Sequence, residues 1–304
     1  MIEKVRLGTR GSKLALAQAE IVKSKFESLF PSISFEIQVV HTTGDLDLDS
    51  PLCEIGGKGV FIKELEVALK NRQVDIAVHS LKDITSAIPK ELSLAAFLTP
   101  EAVTDVLIFN KALTHFDQLP KEAVIATGSL RRRALIKKLR PDIQFIDYRG
   151  NVLTRLQKLK EGKADALLLS EAGLIRLGLQ DVISYRFSPY IFCPAPGQGV
   201  ITLETRRDDP ELVEICRAVN SPEQEIKSST ELACLEKVGF DCRIPLGIYS
   251  ELSPDWKTIT LIVFISSSTM DQFFEERIKF PVEERQEAAA KISTKLLAWK
   301  EQYD

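Results

Sequence analysis

The apolar residues of this chain follow two periods that alternate along the sequence. Strand-like segments at residues 4–9, where apolar and charged residues alternate, and at 123–127, which is mostly apolar, each lead through a glycine–serine turn into a segment, at 13–22 and 130–139, in which apolar residues recur every three or four positions. A short run of this kind predicts a buried strand, and the longer period predicts an amphipathic helix. Because strands and helices alternate, we expect an α/β protein with largely parallel sheets.

A second pair of segments indicates that this arrangement occurs twice. Residues 69–80 align with residues 159–170 without a gap, with leucine, lysine, aspartate and serine at the same offsets. Each segment runs from a helix end into an apolar strand that finishes at a serine. Helix–turn–strand segments share much of their composition, so chance similarity is the alternative. We prefer two related α/β domains that bind a ligand beyond the carboxyl ends of their strands.

The last part of the chain has a different organisation. Ser221, Pro222 and Gln224 form the pattern of a helix start, and this helix is expected to end near Val238. The strand-like runs and the final helix that follow lie at 243–249, 258–265, 277–280 and 282–303. This pattern predicts a small α+β domain at the carboxyl end.

Two proline-containing points are the expected crossings between the first two domains. They are Pro100 and the segment 194–199, and two such crossings would form a hinge with a cleft beside it. The expected domains are residues 1–98 with 199–217, residues 99–198, and residues 218–304.

The composition indicates a globular protein rather than a nucleic-acid-binding or membrane protein. The 304 residues are 44% hydrophobic and 27% charged, with a formal net charge of -3, which is typical of a globular protein and gives no support to nucleic-acid binding. The amino terminus is charged where a signal peptide needs an apolar run, and the apolar runs are too short to span a bilayer. We therefore expect a cytoplasmic protein without a membrane or nucleic-acid partner.

The cysteines and histidines do not predict a metal site. The five cysteines are widely spaced and contain no Cys-x-x-Cys pair, which argues against a zinc site and against a disulfide framework. The three histidines form no ligand pair at helical spacing. A buried free thiol is the ordinary state of a cysteine, although Cys242 is expected in an exposed turn between a helix and a strand.

Positive charge is concentrated in one region of this slightly acidic chain. Residues 121–160 contain eleven lysines and arginines but only three acidic residues. The arginines near expected strand ends, or in the helices that follow them, are Arg10, Arg131, Arg132, Arg149, Arg155 and Arg176. With the free backbone amides at the helix starts of Ser12 and Ser129, they predict a site for several carboxylates or phosphates. A solvated basic helix face is the alternative.

Two further segments are candidates for chemistry. Lys82 and Asp83 follow an apolar strand, and the carboxylate of Asp83 could stabilise developing positive charge or relay a proton. A surface lysine–aspartate pair is the alternative. The loop at 42–59 matches neither a calcium-binding nor a nucleotide-binding loop, and we expect it to be a lid that carries Lys58.

Six motifs together resemble the porphobilinogen deaminase (hydroxymethylbilane synthase) family over roughly residues 4–250. The motifs are Gly-Thr-Arg-Gly-Ser-Lys-Leu-Ala-Leu-Ala-Gln at 8–18, Gly-Gly-Lys-Gly-Val-Phe-Ile-Lys-Glu-Leu-Glu at 56–66, Asp-Ile-Ala-Val-His-Ser-Leu-Lys-Asp at 75–83, Gly-Ser-Leu-Arg-Arg at 128–132, Arg-Gly-Asn-Val-Leu-Thr-Arg at 149–155 and Pro-Ala-Pro-Gly-Gln-Gly at 194–199. Their order along the chain makes the resemblance specific.

The resemblance implies a monomeric transferase of haem biosynthesis with three domains, the first two similar to type II periplasmic binding proteins. It implies that four porphobilinogen molecules are joined head to tail, with loss of ammonia, into hydroxymethylbilane. The chain would grow from a covalent dipyrromethane cofactor. The cysteine to which the family attaches this cofactor, through a thioether bond, corresponds to Cys242. Each pyrrole carries an acetate and a propionate, so the bound chain is a polyanion that arginines suit.

The resemblance also implies a role for each candidate residue. Asp83 is the expected catalytic residue, beside the pyrrole nitrogens. Lys58 is expected to close the loop over the site. The residues expected to bind carboxylates of cofactor and substrate are Lys82, Ser12, Ser129 and the six arginines, with Gln18 and Gln198 as weaker candidates.

Four places depart from the usual family pattern, and one other function stays open. The departures are Phe240-Asp241 where Gly-Gly is usual, Ile84-Thr85 where Val-Pro is usual, and Thr104 and Leu232 where arginine is common. The alternative function is a non-catalytic anion-binding protein of the same two-domain fold, which would have no use for Cys242. The ligand-sensing half of a transcription regulator lacks support, because no helix-turn-helix segment precedes the first strand.

Overall fold

The computed structural model describes residues 2–42, 62–84, 88–239 and 244–303. Lys58 and Cys242 lie outside these described residues, so the expected lid and the expected attachment point stay predictions. The chain forms two compact units, Met1–Pro100 with Val200–Ser228 and Glu101–Gly199 with Ser229–Asp304. The division into three domains stays a prediction as well.

The first unit is built on a five-stranded sheet. Its strands, numbered in chain order, are β1 (Lys4–Thr9), β2 (Ser34–Val39), β3 (Ile76–Ser80), β4 (Leu92–Phe97) and β10 (Ile201–Arg206). They lie in the order β2-β1-β3-β10-β4, with β1 parallel to β2 and β3, and β10 antiparallel to β3 and β4. Within the described ranges, the helices packed beside this sheet include α1 (Lys13–Leu29), α2 (Lys63–Lys70) and α6 (Pro210–Arg217).

Apolar residues cover both faces of this sheet. Helix α1 buries Ala15, Ala19, Val22 and Phe26, whose spacing of three or four residues forms one apolar stripe. On the other face, Leu65 and its neighbours on α2 pack against Ala77 of β3 in a second cluster. Strand β3 is therefore enclosed by helices on both faces, and the chain leaves its end at Ser80.

The second unit contains a sheet of the same design. Its strands are β5 (Asp105–Phe109), β6 (Val124–Ala126), β7 (Gln144–Ile146), β8 (Ala166–Ser170) and β9 (Tyr185–Arg186). They lie in the order β7-β6-β8-β5-β9, with β6 parallel to β7 and β8, and β5 antiparallel to β8 and β9. The helices beside this sheet are α3 (Leu130–Leu139), α4 (Val152–Lys160) and α5 (Glu171–Arg176).

A three-stranded antiparallel sheet forms the carboxyl-terminal part. Its elements are α7 (Pro222–Cys234), β11 (Leu246–Leu252), β12 (Thr258–Ser266), β13 (Phe273–Pro281) and α8 (Arg285–Tyr303). Strand β13 begins earlier than the expected residue 277, because its pairing with β12 extends to Phe273 opposite Ser266. The predicted α/β class, with two sheets of the same design and a small α+β part, is confirmed. The similarity of the two α/β parts to type II periplasmic binding proteins stays a prediction.

Two helix ends differ from the expectation. Helix α7 ends at Cys234 rather than near Val238, and the chain continues in tight turns, with the amide of Leu235 donating to the carbonyl of Leu232. Gly239 then adopts a φ of 71°, a left-handed conformation that ends helices. The chain at 282–284 forms a single 3-10 turn before α8 begins. In the part of the chain described here, no helix has the length and apolarity needed to cross a membrane.

An arginine–aspartate contact joins β1 to the residue that precedes β3, and it should contribute to stability. Arg6 donates from Nε and Nη2 to the carboxylate of Asp75, both at 2.9 Å. Burial alone would raise the pKa of Asp75, but the hydrogen bonds and charge of Arg6 hold it below its ordinary value of 3.8. Asp75→Asn should lower the free energy of unfolding at pH 7 by about 1–3 kcal/mol.

The sign of the pH dependence follows from the lowered pKa. The contribution of Asp75 is fully present above its ordinary pKa, and it is lost as the pH falls through the lower value of the folded state. Urea unfolding at pH 7 and at pH values below 3.8 should therefore show a difference between wild type and Asp75→Asn that shrinks in acid. Asp208→Asn, at an exposed carboxylate, is the control and should change little; an equal loss in both variants would contradict the assignment.

Candidate functional site

The amino-terminal end of α3 is the centre of the arginine-rich region. Ser129 caps this helix and accepts a hydrogen bond from the amide of Arg132 at 3.4 Å. The cap directs the helix start towards the carboxyl end of β6, as the sequence pattern predicted. The first turn carries two consecutive arginines, Arg131 and Arg132, and both are buried.

One carboxylate compensates both of these arginines. Asp105, at the start of β5, is fully buried; it accepts from Nη1 of Arg131 and from Nε of Arg132, each at 2.7 Å. Burial alone would raise the pKa of Asp105, but the two guanidinium groups hold it below its ordinary value. The sequence analysis did not identify Asp105 as part of the site, although an acidic residue that opens a buried apolar run is a signal that could have done so.

Arg131 and Gln198 belong to one hydrogen-bonded group. The guanidinium of Arg131 also donates to the carbonyl of Cys193 at 2.7 Å and to Oε1 of Gln198 at 3.2 Å. The amide of Gln198 in turn donates to the carbonyl of Val103 at 2.7 Å. Two residues predicted independently are thus brought into contact, with Arg131 fixed in place by three acceptors.

Neighbouring guanidinium charges lower the pKa of two arginines at this site, Arg155 and Arg132. Burial lowers the pKa of Arg155, and the positive charges of Arg132 and Arg149 lower it further, while Asp147 acts in the opposite direction. Burial and the charge of Arg131 likewise lower the pKa of Arg132, against the effect of Asp105. The region therefore contains more positive than negative charge in a place that solvent screens poorly.

Local backbone geometry places Arg155. Asn151 caps α4 and accepts from the amide of Thr154 at 3.0 Å. Gly150 precedes it with a φ of 104°, and a Cβ there would lie 2.8 Å from Cγ2 of Thr154, so only glycine suits this position. Nε of Arg155 donates to the carbonyl of Gly150 at 2.9 Å.

Arg176 has a carboxylate partner that the sequence analysis did not predict. Its Nε and Nη2 donate to Oε2 of Glu101 at 3.0 and 2.6 Å, and Nη2 also donates to the carbonyl of Gly199. The side chain of Arg176 is only 3% exposed. Its predicted role in binding carboxylates stays a prediction.

The candidates of the first unit lie at the ends of β1 and β3. Ser12 caps α1 and accepts from the amide of Ala15 at 3.2 Å, and Arg10 is half-buried beside it in the sequence. Gln18 is buried, and its Nε2 donates to Oγ of Ser80 at the end of β3, at 2.8 Å. A single 3-10 turn, Leu81–Asp83, follows, and its Lys82 and Asp83 are half-buried.

The described cysteines are poor nucleophiles. Cys193, Cys216 and Cys234 are buried free thiols, and burial raises the pKa of each, to about 12 for Cys234. A thiol in this state carries little reactive thiolate at neutral pH. Among the described residues, no group of three or more histidine, cysteine, aspartate or glutamate side chains is arranged to hold a metal ion.

Known proteins of one family are similar to this chain in sequence. The family profile described as "Porphobilinogen deaminase, dipyromethane cofactor binding domain" matches residues 5–214. The chain is similar to the porphobilinogen deaminase of Syntrophobacter fumaroxidans, with 42% identity over 89% of this chain and 86% of that protein. It is 39% identical to the porphobilinogen deaminase of Geobacter sulfurreducens over 98% of this chain and 92% of that protein. Among solved structures it is similar to the Methionine Binding Protein, MetQ, with 13% identity and a TM-score of 0.44 over 76% of this chain and 95% of that one.

Asp105 should be required for the stability of the second unit. Asp105→Asn leaves the buried guanidinium groups of Arg131 and Arg132 without their counter-charge, and breaking such a pair costs about 3–5 kcal/mol. Urea or thermal unfolding of the purified variant measures this loss.

A carboxylate on the surface of the same unit provides the control. Asp147 pairs with Arg133 but is 57% exposed, so Asp147→Asn should cost less than about 1 kcal/mol. Similar losses in the two variants would mean that Asp105 is not the main counter-charge.

Proposed function

The chain belongs to the porphobilinogen deaminase family, and from this premise we propose that it joins four porphobilinogen molecules into hydroxymethylbilane on a dipyrromethane primer attached to Cys242. The reaction class is that of a deaminating transferase of porphyrin biosynthesis. We place its action in the cytoplasm, as a monomer without nucleic-acid or membrane partners, on the family resemblance. The same resemblance supports the three-domain division, with Asp83 and Arg10 in the first domain, the other five candidate arginines in the second and Cys242 in the third.

The observation that carries this proposal is that the buried guanidinium groups of Arg131 and Arg132 share the single carboxylate of Asp105. Burial and the charges of Arg132 and Arg149 also lower the pKa of the neighbouring Arg155, against the opposite effect of Asp147. A ligand that brings several carboxylates would supply the missing negative charge. The dipyrromethane carries four such groups, two on each pyrrole, so the charges of this region fit the cofactor and the growing chain.

The backbone adds a second contribution to anion binding. The free amides in the first turns of α3 and α4 lie at the positive ends of two helix dipoles, next to Ser129 and Asn151. Planar guanidinium groups bind a carboxylate through two parallel hydrogen bonds and so orient it as well as neutralise it. We propose that Ser129, Arg132, Arg149 and Arg155 hold cofactor and substrate carboxylates, and that Arg131 and Gln198 keep α3 in place.

We propose that Asp83 is the catalytic carboxylate. When bound, the dipyrromethane supplies the free pyrrole carbon from which the chain grows. Loss of ammonia from porphobilinogen leaves positive charge on the substrate, and a carboxylate aimed at that charge lowers the barrier. Asp83 follows β3 directly in a tight turn, so its position is fixed by the sheet. Arg10, Ser12, Lys82 and Arg176 are proposed as further carboxylate ligands, Gln18 as a weaker one, and Lys58 as the residue that closes the site.

The state of the other cysteines supports Cys242 as the attachment point. Cys193, Cys216 and Cys234 are buried, with raised thiol pKa values that disfavour thioether formation. Cys53 and Cys242 lie outside the described residues. The family resemblance selects Cys242 of these two, and it also separates the enzyme from a non-catalytic anion-binding protein, which needs no covalent cofactor.

The intact mass of the purified protein tests the attachment. Wild type should carry an adduct of two pyrrole units, Cys242→Ser should have the mass of the bare chain, and Cys53→Ser should retain the adduct because its attachment thiol is intact. Mass spectrometry of the three proteins measures this directly. A bare wild-type chain would favour the anion-binding alternative, and an adduct lost only in Cys53→Ser would move the attachment point.

Turnover of porphobilinogen tests Asp83. Asp83→Asn should keep the cofactor adduct and lose about 100-fold or more in kcat, because the amide cannot stabilise developing positive charge. Asp255→Asn, at an exposed turn, is the matched control and should have normal kinetics. A kcat close to wild type in Asp83→Asn would remove this residue from the mechanism.

A further inference from the structure

A pair of titratable side chains that the proposed mechanism does not use lies inside the first unit. His79 is on β3 and Glu204 is on the neighbouring strand β10, with Nε2 of the imidazole 3.1 Å from Oε2 of the carboxylate. Their side chains are 4% and 1% exposed. Two such groups are tolerated in a protein interior only when they are paired.

Among the described residues, few hydrogen bonds or opposite charges offset the burial of Glu204 beside His79. Oε1 of Glu204 is buried and has no hydrogen-bond partner within the described ranges. Helix α2 contributes Glu66, Lys63 and Lys70 to this region, and burial together with the charge of Glu204 raises the pKa of Glu66. Strand β10 also carries Arg206, which bonds to Asp75, and β4 carries no titratable side chain. Replacing a buried charged pair by apolar residues of similar volume is often neutral or stabilising, so a role other than stability is the better explanation of His79 and Glu204.

One member of the pair, His79, lies on the strand that leads to Asp83. Successive side chains of a strand point to opposite faces, so His79 lies on the α2 face and Ser80 on the α1 face, where Gln18 binds it. The amide of Leu81 donates to the carbonyl of Val200 at 2.9 Å. The end of β3 is therefore held by a polar contact on each face, by its pairing with β10 up to Ser80, and by the backbone bond of Leu81.

We propose that His79 and Glu204 form a positioning pair that holds the end of β3 in one place, so that the turn after it presents Asp83 in a fixed position. This inference rests on the proposed function, in which Asp83 acts in turnover. A displacement of a reacting group by about 1 Å costs on the order of 100-fold in rate. Loss of the pair should therefore lower kcat and leave substrate binding, measured as KM, nearly unchanged.

Kinetics and thermal unfolding of cofactor-loaded variants separate positioning from stability. His79→Leu leaves the Glu204 carboxylate buried and unpaired, and it should lower both Tm and kcat. The double variant His79→Leu with Glu204→Leu removes both polar groups, so Tm should recover while kcat stays at least about tenfold below wild type, with KM within about twofold. A double variant with both Tm and kcat of wild type would overturn the inference.

Conservative variants provide a second comparison that does not depend on the leucine variants folding. His79→Gln can still donate to Glu204 and should keep most of the wild-type kcat, whereas His79→Asn is too short and should lose about tenfold. Equal kcat values for these two would overturn the inference.

The remaining controls separate this inference from the proposed function. Thr205 is next to Glu204 in the sequence, and its buried hydroxyl has no hydrogen-bond partner in the described chain. Thr205→Val removes this hydroxyl and should leave kcat and KM unchanged. A kcat loss equal to that of the double variant would overturn the inference. A wild type that forms no hydroxymethylbilane would refute the proposed function itself. An active wild type with normal kinetics in all His79 variants would refute only the positioning role.

Discussion

The arginine-rich site depends on the contact of Asp105 with Arg131 and Arg132. One fully buried carboxylate compensates two guanidinium groups, and Arg155 adds a third close to them. The second unit thus folds with two buried guanidinium groups on one carboxylate, in surroundings where solvent screens charge poorly. Ligand binding and stability are coupled in such a site, because a polyanion that binds the folded state also stabilises it.

The other features of the site keep these charges from rearranging. Ser129 and Asn151 cap the two helices that carry the arginines, and Gly150 adopts a left-handed conformation that brings its carbonyl to Arg155. Arg131 is fixed by three acceptors and cannot turn outward without breaking them. A site whose donors are fixed before binding loses less conformational entropy when it binds.

The sequence predicted what is local, and it did not predict what depends on contacts between distant segments. The helix starts at Ser12, Ser129 and Ser221 follow from capping patterns a few residues long, and the two similar sheets follow from the repeated alternation of strand and helix. Asp105 lies 26 residues from Arg131, Glu101 lies 75 residues from Arg176, and Glu204 lies 125 residues from His79. Only folding brings such partners together, so the sequence could single out the arginines as candidates but not the carboxylates that bond to Arg131, Arg132 and Arg176.

The most direct test of the charge-compensation account is a crystal structure of the cofactor-loaded protein, in which the distances from the guanidinium nitrogens of Arg132 and Arg155 to the cofactor carboxylates are measured. The account predicts hydrogen bonds of about 2.7–3.2 Å to both residues, with Asp105 still bonded to Arg131. Cofactor carboxylates bound elsewhere, with both guanidinium groups directed only at protein acceptors, would contradict it.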